Sequence, residues 1–352
     1  MTHINPAAPV LVTGASGYIA GWIVKYLLEA GRTVHATVRD PSKKSAVAHL
    51  EAIAAKAPGK LKLFRADLLA QGSFDEATQG CELVIHTASP FIIKGFTDAY
   101  EALVRPAVEG TRNVLESVNK SASVKRVVLT SSVASIFGDN CDAKGGVLTE
   151  KDWNTTSSVN HQPYSFSKVE AEKEAWRMHA AQASKRWDLV CVNPSLVMGP
   201  SLTKQTQSTS ISTMLDLGRG KMKTGVPKLE FGLVDVRDVA KAHILAGDSP
   251  DAQGRYIISE ASYSLLEMAN LLRQDFSQYP LPSTTVPKGV VWLLGPILSG
   301  VSRDFVAKNV GHSISLDNTR SRSQLKLKYL PMQQTLSEMF TQLVDDGLIK
   351  RR

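Results

Sequence analysis

Residues 10–28 read VLVTGASGYIAGWIVKYLL, and the rest of the chain is organised around them. A valine-rich run, Val10, Leu11 and Val12, ends at Thr13-Gly14. Small residues follow, and then Ile19, Ile23, Tyr26, Leu27 and Ala30 recur at helical spacing. Strand, glycine turn and helix in that order make the opening unit of a dinucleotide-binding sheet. A phosphate at a helix N-terminus must touch backbone N–H groups, and a Cβ would stand in its way. Gly14 and Gly17 take those places, with Ala20 where a third glycine would sit. Small-residue turns of this kind are common between strands and helices, so the segments downstream decide the matter.

Those segments alternate. Short apolar runs at 33–38, 60–64, 83–86, 124–129 and 189–192 read as strands. Helical patterns fall between them at 42–57, 74–78, 99–117 and 163–183. Strands that are apolar on both faces, each followed by a helix, predict a parallel sheet covered on both sides. The pattern weakens after Gly199, returns at 231–246 and 255–259, and gives way to helices and loops from Ser264. The expected architecture is α/β: a doubly wound Rossmann sheet of residues 1–198 and 232–260, with a smaller mixed substrate lobe of 199–231 and 261–352.

Composition narrows the function classes. The chain has 352 residues, 43% hydrophobic and 21% charged, the balance of an ordinary globular protein. Its net charge of +8 is scattered, with no dense basic run interleaved with aromatics, which argues against a nucleic-acid partner and for attraction of an anionic cofactor. Cys81, Cys141 and Cys191 lie far apart without CxxC spacing, so neither a disulfide framework nor a metal site is expected and a reducing cytoplasm is. The first ten residues show no secretory signal. The most apolar run, 289–301, is too short to span a bilayer and holds Pro296; it reads as a core helix or an apolar wall.

Chemistry gathers at Tyr164-Ser-Phe-Ser-Lys168. A spacing of four puts Tyr164 and Lys168 on one helical face. A tyrosine's pKa of about 10 must fall for easy proton transfer, and a lysine one turn away with a cationic nicotinamide would lower it. Ser132, at the end of the fifth strand, is the hydroxyl that could orient a reacting carbonyl, with Ser131 its neighbouring alternative. Strand alternation lets only one of the two face a cofactor.

With these residues in view, the chain resembles the extended short-chain dehydrogenases/reductases, in the dihydroflavonol 4-reductase branch that includes methylglyoxal and ketone reductases. The resemblance is carried by VTGASGYIA (12–20), TVRDPSKK (37–44), HTASPF (86–91), RVVLTSSVASIF (126–137), YSFSK (164–168), VNPSLVMGP (192–200) and DVRDVAKAH (235–243). It implies reduction of an aldehyde or ketone, with Tyr164 protonating the carbonyl oxygen, Ser132 hydrogen-bonding it, and Lys168 holding the nicotinamide ribose. Implied cofactor contacts are Gly14, Ser16, Gly17, Tyr18 and Ile19 in the first turn, and Asp67 and Leu68 beside the adenine. Thr87, Ala88, Ser89, Pro194, Ser195, Leu196 and Val197 would lie along the remainder. Asp67 is open to reading as a helix cap instead. Members of the branch include monomers and homodimers.

Cofactor choice has its own argument. NAD-specific sheets end the second strand in an acid that binds the ribose 2′-OH. Arg39 stands there, with Lys43 a turn later, suited to a 2′-phosphate, so NADPH/NADP+ is expected over NADH. Asp40 is the counter-argument, although one residue on it should face the other side. For substrate, the resemblance points to Phe91, Val133 and Phe137 alongside Ser132 and Tyr164, a hydrophobic, aromatic or α-dicarbonyl preference; core packing explains the same three apolar residues equally well. Phe137, where plant flavonoid reductases carry a polar residue, weighs against a polyphenol. The segment 157–163 lacks the cinnamoyl-CoA reductase pattern. Met198, Leu202, Met214 and Leu217 could close the pocket, and His161 reads as a loop histidine. The competing readings are a nucleotide-sugar epimerase or dehydratase, a 3β-hydroxysteroid-type dehydrogenase, and a non-catalytic NADP(H) sensor.

Overall fold

The computed structural model describes residues 1–89, 97–204, 208–298 and 300–352. Ten strands matter here: β1 Val10–Thr13, β2 Thr33–Val38, β3 Lys60–Arg65, β4 Leu83–His86, β5 Arg126–Thr130, β6 Asp188–Pro194, β7 Leu196–Met198, β8 Glu230–Asp235, β9 Gly254–Ile258 and β10 Ala261–Ser264. The principal helices are α1 Tyr18–Glu29, α2 Lys44–Ala54, α3 Arg105–Lys120, α4 Pro163–Ala180, α5 Thr209–Gly218, α6 Val236–Asp248, α7 Leu265–Asp275, α8 Lys288–Leu298, α9 Arg303–Asn309 and α10 Met332–Asp345.

Seven strands form one sheet in the order β9-β6-β5-β4-β1-β2-β3, and every neighbouring pair in it is parallel. The strand order reverses between β1 and β4, the point at which an open α/β sheet leaves a crevice at its carboxyl edge. The alternating side chains of β1 show why the sheet needs helices on both faces. Val10 and Val12 join one buried cluster with α1 and α6, including Ile23, Leu27, Val239 and Ala246. Leu11, between them, joins the opposite cluster with α3 and α4, including Val114, Val118, Ala175 and Met178.

A second sheet, β10-β8-β7, and a separate apolar cluster lie beyond. That cluster is built from α5, α7 and α10 around Met214, Leu272 and Phe340. Strand β8 serves both: Leu233 belongs to the second cluster and Val234 to the first.

The apolar run near 289 is not a core helix. It forms α8, on which Trp292 is 43% exposed, Leu293 56% and Ile297 81%. Among the described residues no buried cluster includes these side chains, and α8 packs mainly on the short α9. Among the described residues no helix is long and apolar enough to cross a membrane.

Candidate active site

The first turn is shaped by contact with the end of β4. Gly14 has φ +65°, and a Cβ there would lie 3.0 Å from the Cα and Cβ of Ala88. Glycine meets both demands, the left-handed backbone and the close approach. Gly17 is the N-cap of α1; it lacks a side-chain cap, and the helix's first turn holds no acid. A helix start left this way offers backbone donors and a positive dipole end to an anion. The Tyr18 hydroxyl donates to the Gly199 carbonyl at 2.6 Å, and Trp22 Nε1 donates to the Pro200 carbonyl at 3.0 Å. Ile19 packs against the core. The side chains of Tyr18 and Ile19 are thus engaged elsewhere, and their possible contribution to a cofactor is through the backbone. Ser16 sits partly buried within the same turn.

Two threonines outside the expected set organise this edge. Thr13 Oγ1 lies 2.8 Å from His86 Nδ1 and accepts from the backbone N–H of both Thr87 and Ala88 at 3.1 Å. Thr37 Oγ1 accepts from Gly14 N at 3.3 Å. Their local signal is faint: each is a threonine at the end of an apolar strand.

At the end of β2, Arg39, Asp40 and Lys43 are all exposed. The Asp40 carboxylate accepts from Ser42 N at 3.0 Å and Ser42 Oγ at 2.6 Å, bonds that hold its pKa below the ordinary carboxylate value. Asp40 is thereby committed to its own turn. Arg39 has no acidic partner among the described residues. Lys43, four residues on, is the N-cap residue of α2. Asp67 caps a turn, accepting from Leu69 N at 2.9 Å. Leu68 packs on Gly110 of α3, where a Cβ would come within 3.0 Å of it.

The catalytic candidates stand at the same edge. Ser131 and Ser132 separate as alternation requires. Ser131 is buried, its hydroxyl donating to Glu172 at 2.5 Å. Ser132 is partly exposed and caps the short 3-10 turn Val133–Ser135, its Oγ accepting from Ala134 N at 3.1 Å. That turn packs against α4, which carries Tyr164 in its first turn and Lys168 one turn on. Lys168 Nζ lies 5.9 Å from the Tyr164 ring centroid and donates to Ser89 Oγ at 3.3 Å.

Burial governs both pKa values. Lys168 is pushed down to about 8 by desolvation, with the Glu172 charge acting upward. Tyr164 is pushed up to about 12 by burial, so the lysine by itself does not bring the expected lowering. His86, beside them, is pushed down to about 3 by burial and then by the Lys168 charge, and stays neutral.

The entry to α4 depends on residues the sequence did not single out. Gln162, immediately before Pro163, has φ +54°. The buried Asp139 accepts from Gln162 Nε2 at 3.1 Å and from Asn309 Nδ2 of α9 at 2.7 Å, and lies 2.5 Å from His161 Nε2. His161 is a loop residue, as expected, engaged by Asp139. The pull of these neighbours holds the Asp139 carboxyl below its usual value against burial.

The remaining expected cofactor contacts stand at the end of β6 and in β7. Pro194 and Ser195 are buried, and Ser195 N donates to the Ile258 carbonyl at 3.0 Å. Leu196 and Val197 are partly exposed in β7. Of the apolar substrate candidates, Val133 and Phe137 are partly buried against a small cluster around Ile136, Leu148 and Ile257. Phe91 lies outside the described residues. Met198, Met214 and Leu217 do not close a pocket: each is fully buried in the second apolar cluster. Leu202 comes near Gly21 of α1, 3.5 Å from where a Cβ would stand. Among the described residues no group of three His, Cys, Asp or Glu is placed to hold a metal.

Comparison with known proteins gives the family and the fold. Residues 10–259 match the model of the NAD dependent epimerase/dehydratase family. Cinnamoyl-CoA reductase CAD2 of Medicago truncatula is 40% identical over 285 residues, covering 80% of this chain and 85% of that protein. Tetraketide alpha-pyrone reductase 1 of Arabidopsis thaliana is 41% identical over 276 residues, with 78% and 82% covered. Among solved structures, yeast methylglyoxal/isovaleraldehyde reductase Gre2 complexed with NADPH superimposes with a TM-score of 0.79 at 29% identity, covering 97% of this chain and 100% of that one. The chain belongs to the NAD dependent epimerase/dehydratase family.

Proposed function

We propose that the protein is an NADPH-dependent carbonyl reductase that takes a hydrophobic aldehyde or ketone to its alcohol. The observation that supports this reading is the grouping of Ser132, Tyr164 and Lys168 at the carboxyl edge of the sheet, near a glycine turn that opens α1 without a side-chain cap. The relatives reported above are reductases by name, which favours reduction over epimerisation. Gly14, the start of α1, Arg39 and Lys43 would hold the cofactor, which supplies the hydride when bound.

Tyr164, with its pKa near 12, is fully protonated at neutral pH, the state a proton donor needs. Its hydroxyl gives its proton to the carbonyl oxygen as negative charge develops there. Ser132 donates a hydrogen bond to that oxygen. The Lys168 ammonium, still charged below about pH 8, offsets the phenolate left on Tyr164. Residues 199–231 and 261–352 would shape the substrate side. Three cysteines without disulfide partners support a reducing cytoplasm as the place of action.

The test is a screen of aldehydes, diketones, aryl ketones and steroids, following loss of reduced nicotinamide at about 340 nm with each cofactor. NADPH-dependent turnover is expected, and Tyr164→Phe should lower it about 100- to 10,000-fold while NADPH binding persists. Wild-type turnover in that variant, or no reduction of any carbonyl, would overturn the reading.

A further inference from the structure

Behind Ser132 and below Lys168 lies a charged network that the proposed reaction does not itself use. Glu172 is fully buried, one helical turn beyond Lys168. Its Oε1 accepts from Arg255 Nε at 2.7 Å and Trp176 Nε1 at 3.2 Å. Its Oε2 accepts from Ser131 Oγ at 2.5 Å, Ser135 Oγ at 2.6 Å and Asn193 Nδ2 at 3.0 Å. Two of those donors also reach Ser132: Asn193 Nδ2 donates to the Ser132 carbonyl at 3.3 Å, and Ser135 Oγ, whose single proton can go to Glu172 or to that carbonyl, lies 2.7 Å from it. Arg255 is itself enclosed, its Nη1 donating to the carbonyls of Glu150 and Asp152 and its guanidinium 4.0 Å from the Trp153 ring centroid.

A buried ion pair of this kind is a weak stability device, because desolvation offsets most of the attraction. A carboxylate in a low-dielectric site one turn from a lysine does have a strong effect on that lysine's charge. We propose that Glu172, fixed by Arg255, is the positioning residue of the site: it keeps Lys168 protonated and holds the Ser132 turn in place. This rests on the reading of Ser132, Tyr164 and Lys168 as the reacting set.

The other groups facing this part of α4 leave Glu172 as the source of the negative field. His86 of β4 is neutral, and Cys191 of β6 is kept as a thiol by burial. Arg112 of α3 pairs with Glu174 at 2.8 Å, Arg105 with Glu101 and Glu109, and Asp188 with Arg126. On α4 itself Lys173 pairs with Glu170 at the surface. Arg255, bonded to the carboxylate, opposes the field.

The experiment is the pH profile of kcat/KM for carbonyl reduction in the wild type, Glu172→Gln and Glu172→Asp, with Tyr164→Phe as control. Without the negative charge Lys168 releases its proton more readily, so the alkaline limb should move about one pH unit lower in Glu172→Gln. Glu172→Asp, which keeps the charge, should hold the limb near the wild-type position. A Glu172→Gln protein that loses rate equally at every pH, with its limb unmoved, would make Glu172 a structural residue and overturn the proposal. If that variant does not fold, the comparison is Glu172→Gln/Arg255→Gln against Arg255→Gln alone, both lacking the opposing charge; the limb should lie lower in the double variant, and coincident limbs refute equally. A Tyr164→Phe enzyme as active as wild type would overturn the underlying reading instead.

Discussion

Replacing Arg39 by alanine tests how the protein tells NADPH from NADH. The side chain stands exposed at the end of β2 with no acidic partner among the described residues, while the adjacent Asp40 is spent on Ser42. An arginine so placed can engage a 2′-phosphate with charge-assisted bonds, and removing them from a solvent-screened site should weaken NADPH about 10- to 30-fold. NADH, which lacks that phosphate, should change by about twofold or less. Lys43, also exposed at the start of α2, remains in the variant, so the preference should shrink without vanishing. Arg39→Ala/Lys43→Ala should remove a further factor of about 3 to 10. Titration calorimetry with each cofactor at two salt concentrations measures this, and the wild-type advantage for NADPH should itself fall as salt rises. An unchanged ratio of NADPH to NADH affinity in Arg39→Ala would place phosphate recognition elsewhere.

Gly14→Ala combines a left-handed backbone at φ +65° with a Cβ 3.0 Å from Ala88, and should cost about 2–3 kcal/mol besides weakening NADPH. Gly31→Ala, at φ +77° with nothing within 4 Å, shares only the backbone strain and should cost less in the same denaturant titration; equal costs would remove the crowding argument. Arg126 is fully buried, held by Asp188 at 2.7 and 2.8 Å and by the last carbonyls of α6, so Arg126→Met should destabilise by about 3–5 kcal/mol, read as a shift in urea midpoint, with turnover per folded molecule unchanged. His86 and His243 are pushed down to about 3 and about 4 by burial. Between pH 6.5 and 4 the unfolded chain binds protons these histidines refuse, so stability should fall with falling pH by about 1.4 kcal/mol per unit for each. His243→Gln should flatten that slope in urea titrations, and an identical slope would refute the assignment.

Much of this was legible because it is local. Valine-rich strands, the Gly14–Gly17 turn, and Tyr164 four residues from Lys168 are short-range patterns, and a parallel sheet with helices on both faces is nearly their only common solution. Parallel topology then carries every strand's carboxyl end to one edge, which is why segments more than a hundred residues apart meet there. Hydrophobicity, by contrast, states that a side chain prefers burial without naming its partner. Met198, Met214 and Leu217 read as pocket walls and are core; the run in α8 reads as a core helix or an apolar wall and is not a core helix, its large side chains being exposed.

The sequence by itself determined the fold class, the Gly14–Gly17 turn and the Tyr164/Lys168 pair, because backbone periodicity and helical spacing depend only on near neighbours. Tertiary structure decided which serine is buried against Glu172 and which is left partly exposed, where Asp40 spends its charge, and that Glu172 meets Arg255 across 83 positions. It also brought Asp139 together with Asn309 from 170 residues away. Those are choices among polar partners, and a buried polar group takes whichever partner the packed fold brings within about 3 Å.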